Sequence, residues 1–343
     1  MDLTAEITKF DGSKLNANKP QRMAKPDGPS ALEYVLYEQS LRGKDIIGIE
    51  HLNAQELMLI LDLAAKLKAN KFDETQTLFS KGQTLAMLFE KPSLRTRVTF
   101  EAGMTQLGGH AIYLEGKLGE REAINDIGKN LERWVDAAMA RTFAHETVIA
   151  LAANANIPVI NGLSDKEHPC QALADFQTII EHKGKLKGIK LAYVGDSNNV
   201  SNSLLFTAAT LGTDFAMACP HKYEPQASVW MKALELAGKS GAKLSLTADP
   251  AAAVADADAV YTDVWTSMGQ EAEAKERENI FAPYQLNSAL LKKAKPDHIV
   301  MHCLPAHRGL EITDEVIDGP NSVVFDQAEN RLHAQKAIMA LIM

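Results

Sequence analysis

The sequence predicts an α/β protein of two domains, each a parallel sheet flanked by helices. Short apolar runs alternate with longer amphipathic stretches along most of the chain, the pattern of strands joined by crossover helices. At 343 residues the chain exceeds what one core of ordinary size needs and suggests two, of roughly 150 residues each. The polar segment Lys183-Gly-Lys-Leu-Lys-Gly188 separates two such series and reads as the hinge.

Residues 1–44 are polar, carry Pro20, Pro26 and Pro29, and read as an extension with a short helix near Leu32–Leu41. The first domain is expected over 45–183. Leu57, Ile60, Leu61, Ala64 and Leu67 fall on one helical face, with Asn53 as N-cap and Glu56 completing a capping box. Thr84–Phe89 reads as a strand and Val98–Leu107 as the helix after it. Ile157–Ile160 is a further strand, followed by a helix from Pro169 to His182. The second domain is expected over 187–329. It opens with strand Leu191–Val194, helix Ser201–Leu211, strand Phe215–Cys219 and a helix over Ala227–Ala237. Strands Ala259–Thr262, His298–Cys303 and Ser322–Phe325 follow, and an amphipathic helix, Asn330–Leu341, closes the chain. There is no internal repeat, and low complexity is confined to the alanine-rich Ala251–Ala259.

With 46% hydrophobic and 23% charged residues, the composition suits large buried cores under an ordinary polar surface. A net charge of −8 argues against a general nucleic-acid binder, which needs a basic excess to neutralise phosphates. It leaves room for a small anion, since a few converging arginines suffice. Cys170, Cys219 and Cys303 are odd in number and widely spaced. That fits a reducing compartment, no disulfide framework and no zinc-ligand spacing. No apolar run approaches the about 18 residues a bilayer requires. The N-terminus, with Asp2, Glu6, Asp11 and Asp27, suits neither a signal nor a transit peptide. The expectation is a cytoplasmic protein with no metal, no nucleic-acid partner and no membrane partner.

The segment Phe89-Glu-Lys-Pro-Ser-Leu-Arg-Thr-Arg97 lies between a strand and a helix. In α/β sheets, ligands bind where loops leave the carboxyl ends of strands. A helix start there offers free N–H groups and the positive end of the dipole, and Ser93, Arg95, Thr96 and Arg97 add donors suited to phosphate. Taken alone, the segment reads equally well as a capped helix with surface arginines. Further on, Gly195-Asp-Ser-Asn-Asn199 occupies the place of a dinucleotide-binding turn, but Ser197 and Val200 replace glycines which that turn requires. Asn199 offers an amide that donates to a carboxylate and accepts from an ammonium.

Four segments occur in order: Phe-x-Lys-Pro-Ser-x-Arg-Thr-Arg at 89–97, His-Pro-Cys-Gln at 168–171, Asp-Val-Trp-Thr-Ser-Met-Gly at 263–269 and His-Cys-Leu-Pro at 302–305. Together they resemble the aspartate/ornithine carbamoyltransferase family, and the last two resemble its ornithine branch. The resemblance covers about residues 45–343. It implies two parallel-sheet domains with the C-terminal helix, 330–343, packing back on the first.

The implied reaction is attack of the δ-amine of L-ornithine on the carbonyl of carbamoyl phosphate. It passes through a tetrahedral intermediate to L-citrulline and phosphate, without metal or cofactor. The resemblance further implies ordered binding, carbamoyl phosphate first, and domain closure. Ser93, Leu94, Arg95 and Thr96 match the family's phosphate-binding turn, and Arg141, in Ala140-Arg-Thr-Phe143, the arginine reaching both phosphate and carbonyl oxygen. His168 and Gln171 match the contacts to the carbonyl oxygen and the carbamoyl amine, and Arg331 a late arginine returning to this site. Asn199, Asp263, Ser267 and Met268 match the ornithine-binding set; Cys303 and the Leu304 carbonyl are placed beside the reacting amine. Arg95, Arg141, His168, Asp263 and Cys303 are thus the catalytic candidates.

Physical chemistry agrees, because carbamoyl phosphate carries about two negative charges and its carbonyl must become an oxyanion, which preorganised cationic donors stabilise. The amine must shed a proton, since its reference pKa is about 10.4. Two departures stand out. Leu94 replaces a usual threonine, and Lys117 stands where relatives usually carry glutamine or histidine. The resemblance places Lys117 at a trimer interface, reaching a neighbouring chain's phosphate site. A sister enzyme acting on aspartate, putrescine or an N-acylated ornithine, a nucleotide-dependent oxidoreductase and an inactive regulatory paralogue are the competing readings.

Overall fold

The computed structural model describes residues 41–70, 73–266 and 271–343. The helix expected near Leu32–Leu41 lies, but for its last residue, outside them. By their contacts the described residues form two units. One takes the residues through His51, Asp62–Cys170 and Leu332–Met343, and the other Leu52–Leu61 and Gln171–Arg331.

The first unit holds β1 (Thr84–Phe89), β2 (His110–Glu115), β3 (Ala137–Arg141) and β4 (Val159–Leu163) in a parallel sheet of order β2-β1-β3-β4. Almost every residue of β1, β3 and β4 is buried, so these strands are apolar rather than alternating, as a sheet covered on both faces requires. α1 (Ala54–Ala69) precedes the sheet, α2 (Leu94–Gln106), α3 (Ile124–Trp134) and α4 (His145–Ala153) alternate with its strands, and α5 (Pro169–Lys183) follows β4, with residues 54–61 and 171–183 counted in the second unit. Leu131, Val148 and Leu151 from α3 and α4 pack on Leu88, Ala138 and Ala140 of the sheet. The capping box expected at the start of α1 is present: Glu56 N–H donates to Asn53 Oδ1 at 3.0 Å and Asn53 N–H to Glu56 Oε2 at 2.9 Å.

The second unit carries β5 (Lys190–Val194), β6 (Asp214–Ala218), β7 (Leu244–Thr247), β8 (Ala259–Thr262) and β9 (Ile299–His302), all parallel, in the order β7-β6-β5-β8-β9. Its helices include α6 (Asn199–Leu211), α7 (Ala227–Ser240) and α8 (Ala274–Phe281); α9 (Val324–Ile342) ends the chain. Val194, Val260 and Val300 of the sheet meet Trp265, Phe281 and Leu286 in one core.

The last turns of α9 belong to the first unit, as expected. Lys336 Nζ donates to Gln76 Oε1 at 2.5 Å and Gln106 Oε1 at 2.9 Å, and Gln83 Nε2 to the Met343 carbonyl at 3.0 Å. Gly103 of α2 lies under this helix, where a Cβ would come within 2.9 Å of Met339 Cε.

Several boundaries differ from expectation. α2 begins at Leu94 rather than Val98, because Ser93 caps it. The strand expected at Ile157–Ile160 runs Val159–Leu163. Ser322–Phe325 is not a strand. Val300 N–H donates to the Asn321 carbonyl and Val323 N–H to the Val300 carbonyl, one isolated bridge, and helix α9 starts at Val324. β2, α3, β3, α4, β7 and α8 carry no expectation from the sequence. Among the described residues no helix is long and apolar enough to cross a membrane.

Candidate active site

Strand order locates the chemistry. In the first sheet the connections from β1 and β3 leave in opposite directions, because β1 feeds β2 on one side while β3 feeds β4 on the other. Such a switch point opens a crevice at the carboxyl ends of the two strands. The turn after β1 and the last residue of β3, Arg141, both lie there.

Ser93 adopts extended backbone at φ −158° and its hydroxyl accepts from Thr96 N–H at 3.4 Å, which starts α2. The Ser93 and Thr96 hydroxyls are 3.1 Å apart, and Arg141 Nη1 lies 3.4 Å from Thr96 Oγ1. Thr96, Arg141 and His168 are buried and Arg95 half-buried, while the Leu94 side chain is 76% exposed. The Leu94 side chain thus stands in solvent, and the missing threonine hydroxyl leaves the Ser93–Thr96–Arg141 cradle intact.

Glu90 braces the crevice by accepting Leu118 N–H at 3.0 Å and Phe143 N–H at 2.7 Å. Lys91 is buried beside Arg141 with its ammonium 4.8 Å from the Phe143 ring centre. Burial, then the Arg141 charge, lowers its pKa to about 8. The turn before His168 is fixed by Asn161, which donates to the Ile47 carbonyl at 2.8 Å and to Ser164 Oγ at 3.1 Å. Glu167 adds a bond from Ile49 N–H at 2.8 Å. Lys117 is exposed, just past edge strand β2.

The second sheet has its switch point between β5 and β8. After β5, Asn198 caps α6 by accepting Val200 N–H and Ser201 N–H, both at 3.0 Å, with Ser201 completing a capping box. Its amide nitrogen donates to Asp263 Oδ2 at 2.8 Å. The other Asp263 oxygen accepts the Cys303 thiol at 2.9 Å and Val264 N–H at 2.8 Å. Asn199, the first residue of α6, is half-buried, and its Oδ1 accepts Val200 N–H at 3.0 Å. Ser267 and Met268 lie outside the described residues. The loop before them is anchored by Arg277, which donates to the Trp265 carbonyl at 2.6 Å and pairs with Asp196.

Buried His302 precedes Cys303. Its Nδ1 accepts Leu304 N–H at 2.9 Å and its Nε2 faces Glu311 at 3.1 Å, so the ring is held as the Nε2–H tautomer. That bond holds Leu304 at φ +56°, before a cis bond to Pro305. Asp263, His302 and Cys303 bring potential metal-ligating atoms within 4.8 Å of one another. Both His302 nitrogens and the thiol are already hydrogen-bonded, so a metal would have to displace the bonds that shape the turn. Elsewhere in this unit, buried Gln171 accepts Arg331 Nη1 at 2.7 Å. Sequence reasoning found Arg331 but missed Asn198, whose spacing to Ser201 was a visible capping signal, and Asp175, the buried carboxylate that accepts Gln171 Nε2 at 2.7 Å and carries no such signal.

Models of the aspartate/ornithine carbamoyltransferases match twice: the carbamoyl-P binding domain over residues 44–181 and the Asp/Orn binding domain over 187–342. The chain belongs to that family. An ornithine carbamoyltransferase of Thermococcus kodakarensis is 54% identical over 308 residues, 89% of this chain and 98% of that relative. A Bacillus subtilis ornithine carbamoyltransferase is 54% identical over 90% of this chain and 97% of its own. Among solved structures, the Pyrococcus furiosus ornithine carbamoyltransferase superposes with a TM-score of 0.86 at 54% identity, over 89% of this chain and 98% of that one. An acetylornithine transcarbamylase complexed with acetylcitrulline is similar at 31% identity and TM-score 0.79, over 88% and 99% of the two chains. The family places carbamoyl phosphate with the first half of this chain and the amino-acid acceptor with the second, the halves in which the phosphate-type cradle and the Asp263–Cys303 pair occur.

Proposed function

We propose that the protein transfers the carbamoyl group of carbamoyl phosphate to the δ-amine of L-ornithine, giving L-citrulline and phosphate. The observation that carries the reading is the pairing, in one chain, of a helix-start cradle of Ser93, Thr96 and Arg141 with a carboxylate–thiol pair, Asp263 and Cys303. The first suits a phosphate next to a developing oxyanion, and the second an amine.

In this reading Ser93, Arg95, Thr96 and the Leu94 N–H hold the phosphate. Arg141 spans phosphate and carbonyl oxygen, with His168 on the oxygen and Gln171 and Arg331 completing the site. Carbamoyl phosphate belongs to 45–183 with 330–343, and ornithine to 187–329. Asn199, Asp263, Ser267 and Met268 take the amino-acid head, while Cys303 and the Leu304 carbonyl lie beside the δ-amine. Asp263 and Cys303 orient that amine in its neutral form; Arg95, Arg141 and His168 stabilise the tetrahedral oxyanion until phosphate leaves. The working unit is a homotrimer or a multiple of it, in the cytoplasm, with Lys117 reaching a neighbour's phosphate. A Pyrococcus furiosus relative is named anabolic, which supports a role in arginine synthesis.

A substrate panel tests the assignment. A site that hydrogen-bonds an α-amino acid head rejects an amine lacking it by up to ~10⁴-fold in kcat/KM. Ornithine should therefore exceed putrescine, aspartate and acetylornithine by orders of magnitude in citrulline-type product formation. Equal turnover of putrescine, or a preference for acetylornithine, would overturn the acceptor assignment.

A further inference from the structure

Behind Gln171 lies a buried carboxylate that the reaction as described does not use. Asp175, one turn along α5 from Gln171, is wholly inaccessible, and so are Tyr261, Gln327 and His302 near it. Asp175 Oδ1 accepts Gln171 Nε2 and Gln327 Nε2, each at 2.7 Å, and its Oδ2 accepts the Tyr261 hydroxyl at 3.1 Å. Gln327 in turn accepts His302 N–H at 3.0 Å.

Gln171 is therefore held from both ends. A carboxylate accepts only, so it must face the amide nitrogen; a guanidinium donates only, so Arg331 must face the amide oxygen, at 2.7 Å. Flipping the amide would set oxygen against carboxylate and nitrogen against guanidinium, losing two charge-assisted bonds at once. Arg331 takes one lone pair of Gln171 Oε1, and the second is left to accept an N–H. A carbamoyl group offers one from its NH₂; an acetyl group of the same size offers a methyl.

We propose that Asp175 is the positioning residue that makes this site select carbamoyl phosphate over acyl phosphates, by locking the Gln171 amide with its oxygen toward Arg331. The proposal rests on the reading that carbamoyl phosphate is the donor substrate. Burial raises the Asp175 pKa to about 7, against three hydrogen-bond donors and the Arg331 charge, so at pH 8 the acceptor-only carboxylate predominates.

The test uses the full chain at pH 8, with citrulline formation as the assay and acetyl phosphate as competitive inhibitor. The quantity read is the inhibition constant of acetyl phosphate divided by the KM of carbamoyl phosphate. Wild type should favour carbamoyl phosphate by about tenfold, the worth of one buried hydrogen bond. Asp175→Leu, close in size, and Asp175→Ala, which admits water, should bring the ratio near one. A purely structural role would weaken both ligands together and leave the ratio alone. Asp175→Asn keeps an oxygen facing both glutamine amides and should hold the ratio within about threefold of wild type. An unchanged ratio in the Leu or Ala variant overturns the proposal, as does a collapsed ratio in Asp175→Asn, which keeps the test decisive if the apolar variants do not fold. No citrulline from wild type would instead overturn the donor and acceptor assignment, leaving Asp175 a separate question.

Discussion

Arg141 and Lys91 are both cations buried at the carboxyl end of the first sheet, and they should fail in different ways. Arg141 lies against Thr96 and in the proposed reaction stabilises the oxyanion, so Arg141→Ala should lower kcat far more than it weakens carbamoyl phosphate binding. Loss of one such donor costs about 3 kcal/mol, on the order of a hundredfold in rate. Steady-state kinetics showing kcat within a few-fold of wild type would remove Arg141 from the reacting shell. Lys91 titrates where arginine cannot. With its pKa lowered to about 8 by burial and by Arg141, it is mostly charged at neutral pH and loses that charge as pH rises through that value. The KM for carbamoyl phosphate should therefore climb above pH 8, and Lys91→Arg, charged throughout, should flatten that limb. A limb of the same shape in both proteins would assign it to another group.

At the scale of elements, what the sequence disclosed follows from how each element earns its stability. The α1 capping box and the apolar β1 are local signals, and both were legible. β3, Ala-Ala-Met-Ala-Arg, is a buried central strand made mostly of alanine, so its identity comes from neighbours on both sides rather than from propensity. β2 and β7 are edge strands without a single buried residue, so neither has the continuous burial that marks the central strands. The site divides the same way. Motif residues such as Ser93 and Asp263 were readable, whereas Asp175, Gln327 and Asn198 are tied to partners far along the chain. Asn198 joins element to site: one end of its amide caps α6 and the other braces Asp263. Asn198→Ala should cost about 1 kcal/mol of stability through the lost cap and, separately, raise the KM for ornithine. Denaturant unfolding and kinetics check the two halves. A stability loss with unchanged ornithine kinetics would leave Asn198 a cap alone.

For the molecule as a whole, the first unit leaves apolar side chains in water along its edge. Ile112 and Leu114 of β2 are 39% and 44% exposed, and Val98 of α2 51%. An open edge strand with apolar side chains invites a second chain, and Lys117 follows β2 directly, exposed beside the same edge. These features support the trimer proposed above, in which each phosphate site takes Lys117 from its neighbour. A lysine suits that reach, having a long flexible stem and a compact charge. A ring of three copies uses two different patches per contact, so the sites are shared in one direction around it. Lys117→Ala and Arg141→Ala chains should each have little activity alone. When the two are dissociated together and re-associated, every mixed trimer contains one site with both residues intact, whichever chain is in excess. Equal mixing should then return about a quarter of wild-type activity, three-quarters of the trimers being mixed and one site in three intact. Native mass spectrometry would establish that mixed assemblies have formed. Mixed trimers without recovered activity, or full activity in Lys117→Ala alone, would leave Lys117 a solvated surface charge and each site the property of one chain.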